Sequence, residues 1–201
     1  MKRWGDLGKP RLDEKCLKDN LGNGNIIFVG SSIDMFAKTI PTEWIQKVLD
    51  YCENFPKTNQ YLFQSKNPGR FLDFIFPKNT ILGTTLESDY YFNGCFSDSP
   101  NNRLASMYNI IHPKMISIEP ITIFNLENFV WEIKKINPIF VSIGADSGHN
   151  NLPEPSAEKV KALISELKKF TEVKLKKNLD RLFTPVTFCH KLNLQGGGKE
   201  K

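Results

Sequence analysis

Residues 139–148 read Ile139-Phe140-Val141-Ser142-Ile143-Gly144-Ala145-Asp146-Ser147-Gly148. Four of the first five positions are apolar, and glycine, an acid and a hydroxyl follow at once. That is the pattern of a buried strand halted by a polar turn. Pro155-Ser156 then starts a helix whose Val160, Leu163, Ile164, Leu167 and Phe170 recur on one face. Strand, polar turn and helix form one unit.

The unit repeats in both directions. Upstream, Met115-Ile116-Ser117-Ile118 is a strand ending at Glu119-Pro120, with Leu126, Phe129, Val130, Ile133 and Ile136 as the helix after it. Thr80 to Leu86 is a strand ending at Glu87. Ser99-Pro100 then predicts an N-cap with proline at the first helical position, leading a stripe of Leu104, Met107, Ile110 and Ile111. Tyr61-Leu62-Phe63 ends at Gln64-Ser65-Lys66, before a short helix about Phe71, Leu72 and Ile75 that Pro77 stops. The first strand, Ile26 to Gly30, turns at Ser31-Ser32-Ile33-Asp34, and Trp44, Ile45, Val48, Leu49 and Cys52 make the helix behind it. Downstream, Glu172 to Lys176 is a sixth strand, followed by Lys177-Asn178-Leu179.

Six strands alternating with five helices, and no hairpin signal, predict an α/β fold with parallel packing. Every strand ends in polar groups. An open doubly wound sheet gathers its ligand at one switch point, whereas a barrel collects groups from many strand ends. A partial TIM-like (β/α) barrel is therefore expected. Residues 1–183 read as one domain with an irregular lead-in over residues 1–25, and 184–201 as a loose polar extension.

The chain has 201 residues, enough for one good core, and an apolar fraction of 40% that excludes global disorder. No run of eighteen apolar residues exists, and Met1 to Asp6 lacks the apolar middle of a signal peptide, so a cytoplasmic setting without membrane contact is expected. The net charge is +5. Residues 158–181 carry eight Lys or Arg against four Asp or Glu, but no aromatics interleave with them, so nucleic acid is weakly supported as a partner and a solvated face is favoured. Cys16, Cys52, Cys95 and Cys189 are too scattered for a metal motif and read as structural thiols. His112, His149 and His190 form no zinc motif, and no nucleophile elbow accompanies Ser31, Ser147 or Cys95. The aromatic loop with Tyr90, Tyr91, Phe92 and Phe96 either covers a site or packs on the domain.

The strand ends supply the candidate site. Glu119 can accept hydrogen bonds from an amine or ribose, or pair with Lys66 or Lys176 across the rim. Lys66 either holds an anionic group or balances Glu87. Asp146, between Gly144 and Gly148, either binds a ligand or shapes its own loop as an Asx-turn.

Read together, these strand ends resemble a family. The stretches are IIFVGSSIDMFA (26–37), YLFQSKNPGRF (61–71), ILGTTLES (81–88), MISIEPI (115–121), FVSIGADSGHNNLPEP (140–155) and KLKKNLDR (174–181). In order and placement they resemble the phage-associated radical-SAM-like proteins, over about residues 1–183. The resemblance implies a partial barrel related to enzymes that cleave S-adenosylmethionine reductively on a [4Fe–4S] cluster held by three cysteines. That cysteine motif is missing, so no cluster is expected in this chain alone, through either truncation or natural loss, while S-adenosylmethionine stays a candidate ligand. Carried over residue by residue, Gly30, Ser31, Ser32, Glu119 and Asp146 are the expected cofactor-facing positions, and Lys66, Glu87 and Lys176 the substrate-facing ones. Two alternatives stand beside a radical-SAM-like core: a noncatalytic barrel binding nucleotide, nucleic acid or protein, and a cofactor-independent acid–base enzyme using Glu119, Asp146 and a rim lysine. An incomplete barrel also exposes a sheet edge, which predicts a homodimer or coverage by residues 1–25.

Overall fold

The computed structural model describes residues 10–90, 97–148 and 150–183. Six strands, β1 (Ile26–Val29), β2 (Gln60–Ser65), β3 (Thr80–Thr85), β4 (Lys114–Ile118), β5 (Phe140–Ile143) and β6 (Glu172–Leu175), lie in sequence order in one sheet. All five neighbouring pairs are parallel. Among the described residues β1 and β6 do not pair, so the sheet curls into an open half-barrel rather than a closed TIM barrel. Helices α1 (Thr42–Glu53), α2 (Pro100–Tyr108), α3 (Leu126–Ile136) and α4 (Ala157–Leu167) cover its convex face, and a single turn, α5 (Asp180–Phe183), follows β6.

The local signals work as their chemistry predicts. Ser99 Oγ accepts from Asn102 N–H at 3.2 Å with Pro100 at the first helical position. Asn125 and Ser156 cap α3 and α4 in the same way. Two expectations need correction. The short helix expected about Phe71, Leu72 and Ile75 is a 3-10 helix, Pro68–Asp73, and Ile75 falls beyond its end and is 89% exposed. Ile111, expected on the buried stripe of α2, is 96% exposed, since the helix ends at Tyr108 and the chain turns away.

The core lies between the sheet and the helices. Phe63, Ile116, Ile118, Val141 and Ile143 from the strands meet Leu49, Met107, Phe129, Ile133, Val160 and Leu163 from the helices, all essentially inaccessible. Cys52 belongs to this core, as expected of a structural thiol, and burial pushes it up to about 12. The lead-in packs beside β1: Leu21 reaches the core, Asn59 binds Asn25 N–H and Gly22 O, and Tyr51 O–H donates to Asp19 O. Between this segment and α1 lies an apolar cavity of about 530 Å³, bounded by Leu12, Leu17, Ile27, Val29, Trp44 and Val48 among others. No described helix is long and apolar enough to cross a membrane. Residues 1–9, the aromatics Tyr91, Phe92 and Phe96, Cys95, His149, and the extension with Cys189 and His190 lie outside the described residues.

Ile133→Ala is expected to lower unfolding free energy by about 2–5 kcal/mol, whereas Ile111→Ala should change it by less than about 0.5 kcal/mol. Urea denaturation of the two variants checks this; equal losses would contradict the core boundary.

Candidate functional site

Strand residues alternate between faces, so every second residue of each strand looks into the concave side. The register aligns these residues across the sheet. Gln64, Gly83, Met115, Phe140 and Glu172 are successive partners and form one row. Met115 lies across Gly83, where an added Cβ would meet its Cγ at 2.7 Å. The next row toward the carboxyl ends is Thr85, Ser117, Ser142 and Lys174. Two residues further, the same period sets Glu87, Glu119, Gly144 and Lys176 around the mouth. At the centre of the concave face the rows therefore run from Met115 and Phe140, through the hydroxyls of Ser117 and Ser142, to Glu119 and Gly144 at the mouth.

At the mouth the charges pair. Lys66 Nζ lies 2.5 Å from Glu87 Oε1, and Arg103 Nη1 lies 2.9 Å from Glu87 Oε2. Arg103 is only 2% exposed and also donates to Thr85 O, Asp98 O and Ser97 Oγ, tying the segment before α2 to the end of β3. Burial alone would raise the Glu87 carboxyl, but Lys66 and Arg103 together outweigh it and hold the group below its ordinary value. Across the mouth, Lys176 pairs with Glu119 Oε2, while Asn178 Nδ2 donates to Glu119 Oε1 at 3.0 Å and to Ala145 O at 2.9 Å. The Glu119–Pro120 bond is cis.

Gly144 makes this second cluster possible. A Cβ there would lie 2.7 Å from Glu119 Oε1 and 3.0 Å from Asn178 Oδ1. Asn178 Oδ1 is itself buried without a hydrogen-bond partner.

Two cavities open at the mouth and share Lys66. One, of about 260 Å³, lies over the ends of β1 and β2 and is lined by Gly30, Ser31, Ser32, Asp34, Ser65 and Thr85 among others. The second, of about 250 Å³, runs past Glu87, Arg103, Ser88, Tyr90, Thr122 and Leu152. Gly30 has φ +70°, a conformation that suits glycine, and Ser31 and Ser32 beside it are exposed. Asp34 shapes this side: it accepts from Ser65 Oγ at 2.7 Å and from Lys66 N–H at 2.8 Å, fixing where the Lys66 side chain starts. The larger lead-in cavity is apolar and carries none of the paired charges.

The sequence candidates therefore gather at one end of the sheet, in pairs. Lys66 sits on Glu87 and Lys176 on Glu119. Asp146 is 4% exposed, and its carboxylate accepts from Gly148 N–H, Asn150 N–H and Asn150 Nδ2, the Asx-turn geometry. Burial would raise this carboxyl; those donors and Arg181 lower it. Asn178 stood in the polar run that ends the sixth strand, whereas Arg103 was not among the sequence candidates. Arg103 had a signal: it precedes Met107 by four and Ile110 by seven, so it lies on the buried stripe of α2, where a guanidinium needs an acid.

The described cysteines are Cys16, exposed, and Cys52, buried with a raised thiol, and no group of three or more His, Cys, Asp or Glu among the described residues is placed to hold a metal ion. An iron–sulfur cluster requires thiolates, which Cys52 does not offer. Comparison with family models, with curated proteins and with solved structures finds no match.

A depressed folded-state value makes the Glu87 contribution present above the ordinary glutamate value of 4.5 and lost as pH falls through the folded value. Denaturation series should show wild-type stability falling more steeply than that of Glu87→Gln below about pH 4.5; parallel curves would contradict the pairing. Gly144→Ala should displace the Glu119 carboxylate and cost about 1–3 kcal/mol, measured by urea denaturation, and unchanged stability would mean the mouth has more room than the distances allow.

Proposed function

We propose that this chain is a radical-SAM-like half-barrel that binds a small hydrogen-bond-donating ligand of the S-adenosylmethionine type at the carboxyl mouth of its sheet. The observation that carries this reading is the orphaned Asn178 Oδ1 beside Glu119 Oε1, over a glycine that leaves out the Cβ. Two acceptors with no side chain between them suit an ammonium, amide or hydroxyl donor. A buried acceptor without a partner costs about 1–3 kcal/mol, and an arriving donor relieves that cost.

The other groups have supporting roles. Lys176, paired with Glu119 Oε2, holds that carboxylate across the mouth. Ser31 and Ser32, exposed above the cavity at β1, offer hydroxyls and backbone groups to the far end of the ligand. Lys66, held between Asp34 and Glu87, separates the two mouth cavities and contacts whatever occupies both. Asp146 shapes the loop after β5 and meets the ligand only through that loop.

S-adenosylmethionine, when bound, supplies a sulfonium centre and an α-amino acid group. The thiols described here do not fit the cluster that would cleave it reductively. Ligand capture and orientation are what these residues perform.

Calorimetry with S-adenosylmethionine is expected to give one-to-one binding, weakened about tenfold or more by Glu119→Gln, since a hydrogen bond to a charged group is worth at least about 1.4 kcal/mol. No heat with the wild type, or equal affinity in the variant, overturns the reading. Saturable binding of short nucleic acids in place of S-adenosylmethionine would favour the noncatalytic nucleic-acid alternative.

A further inference from the structure

The middle row of the concave face holds two hydroxyls that the paired charges of the mouth do not engage. Ser117 and Ser142 are Cα partners on β4 and β5, and Lys174 on β6 is the next partner in the same row. Ile116, Ile118, Val141 and Ile143 point to the helices, so both hydroxyls point into the half-barrel. Neither hydroxyl makes a hydrogen bond among the described residues, although Ser117 is only 4% exposed. Thr85, at the other end of the row, accepts from Gln64 Nε2 at 3.0 Å and keeps its own proton free to donate.

Lys174 leans inward. Its Nζ lies 4.0 Å from the centre of the Phe140 ring, one row deeper, while its acidic neighbour Glu172 is 3.8 Å away and both side chains are more than half exposed. A pair so open to water neutralises little. By contrast, Lys66 and Lys176 at the mouth are directly paired with acids. Lys174 is thus less neutralised than Lys66 and Lys176, and it is the row partner of Ser142, with Ser117 one strand further.

We infer that Ser117, Ser142 and Lys174 form an oxyanion subsite, which takes the carboxylate or phosphate of a second ligand lying deeper in the half-barrel than the mouth. Neighbouring strands are about 4.8 Å apart, so one oxyanion between β4 and β5 accepts from both hydroxyls at about 2.7 Å, with the ammonium completing the charge. Met115 and Phe140 below form an apolar floor that gives water fewer sites to compete. The site rests on the concave face being where ligands bind, as proposed above, but uses none of the residues assigned to the mouth ligand.

The test is an amide-resolved NMR titration of the full chain with inorganic phosphate and, separately, with acetate. Shifts confined to Ser117, Ser142, Lys174 and their strand neighbours, saturating in the millimolar range and weakened about tenfold in Lys174→Gln and in Ser142→Ala, are expected. The tighter of the two anions names the ligand class. Shifts that spread without saturation over the exposed lysines of α4, or equal affinity in both variants, overturn the subsite. A parallel titration with S-adenosylmethionine, read at Gly30 to Ser32 and Glu119, separates the two proposals: anion binding without that response sinks the mouth reading alone, and that response without anion binding sinks the subsite alone.

Discussion

The register of the parallel ladder is the constraint on which the rest depends. In a parallel sheet the side chains of paired residues share a face, so one choice of register assigns every strand residue to core or concave side. Here the assignment sends Val141 and Ile143 to the helices and Ser142 and Gly144 to the opening. A one-residue slip of β5 would bury Ser142 against Leu163 and Ile133 and lift two branched apolar side chains into water. The cost of that exchange holds the polar rows in line.

Given the rows, the mouth must deal with charges brought close together. Glu87 and Glu119 project from neighbouring strands toward one opening, and each has a cation supplied from elsewhere: Arg103 from α2 and Lys66 from the end of β2 for the first, Lys176 from the end of β6 for the second. The two pairs differ in consequence. Arg103 is almost fully buried, and removing it would leave Glu87 with Lys66 alone and strip Thr85 O and Asp98 O of a donor. The Lys176–Glu119 pair is partly open to water and contributes little to stability, which leaves it available to a ligand.

The two sheet edges are protected differently. β6 reads Glu172-Val173-Lys174-Leu175 and continues into Lys176 and Lys177, charges that discourage edge-to-edge pairing. β1 is apolar, with Ile26 and Phe28 exposed on its concave side, and the lead-in packs beside it through Leu21 and the bonds of Gly22 and Asn25 to Asn59. The edge left open at β1 and β6 is a surface on which an oligomeric contact can form.

The strand–helix series, its parallel sense and the gathering of polar residues at strand ends were legible in the sequence, because hydrophobic period and capping chemistry are local properties. Ser99-Pro100, the stripe from Phe129 to Ile136 and the stop at Glu119-Pro120 each carry their signal within a few residues. Partners were not legible. Glu119 could have met Lys66 or Lys176, and Asp146 could have faced a ligand or its own loop; only the curl of the sheet brought Lys176 and Asn178 across to Glu119. The openness of the barrel was likewise a tertiary outcome, since closure depends on strand tilt and on whether the outer strands meet, which no local pattern records. Sequence determined which residues reach the mouth, because alternation along a strand is covalent geometry; tertiary structure decided which of them touch, because contact depends on distances set by the whole sheet.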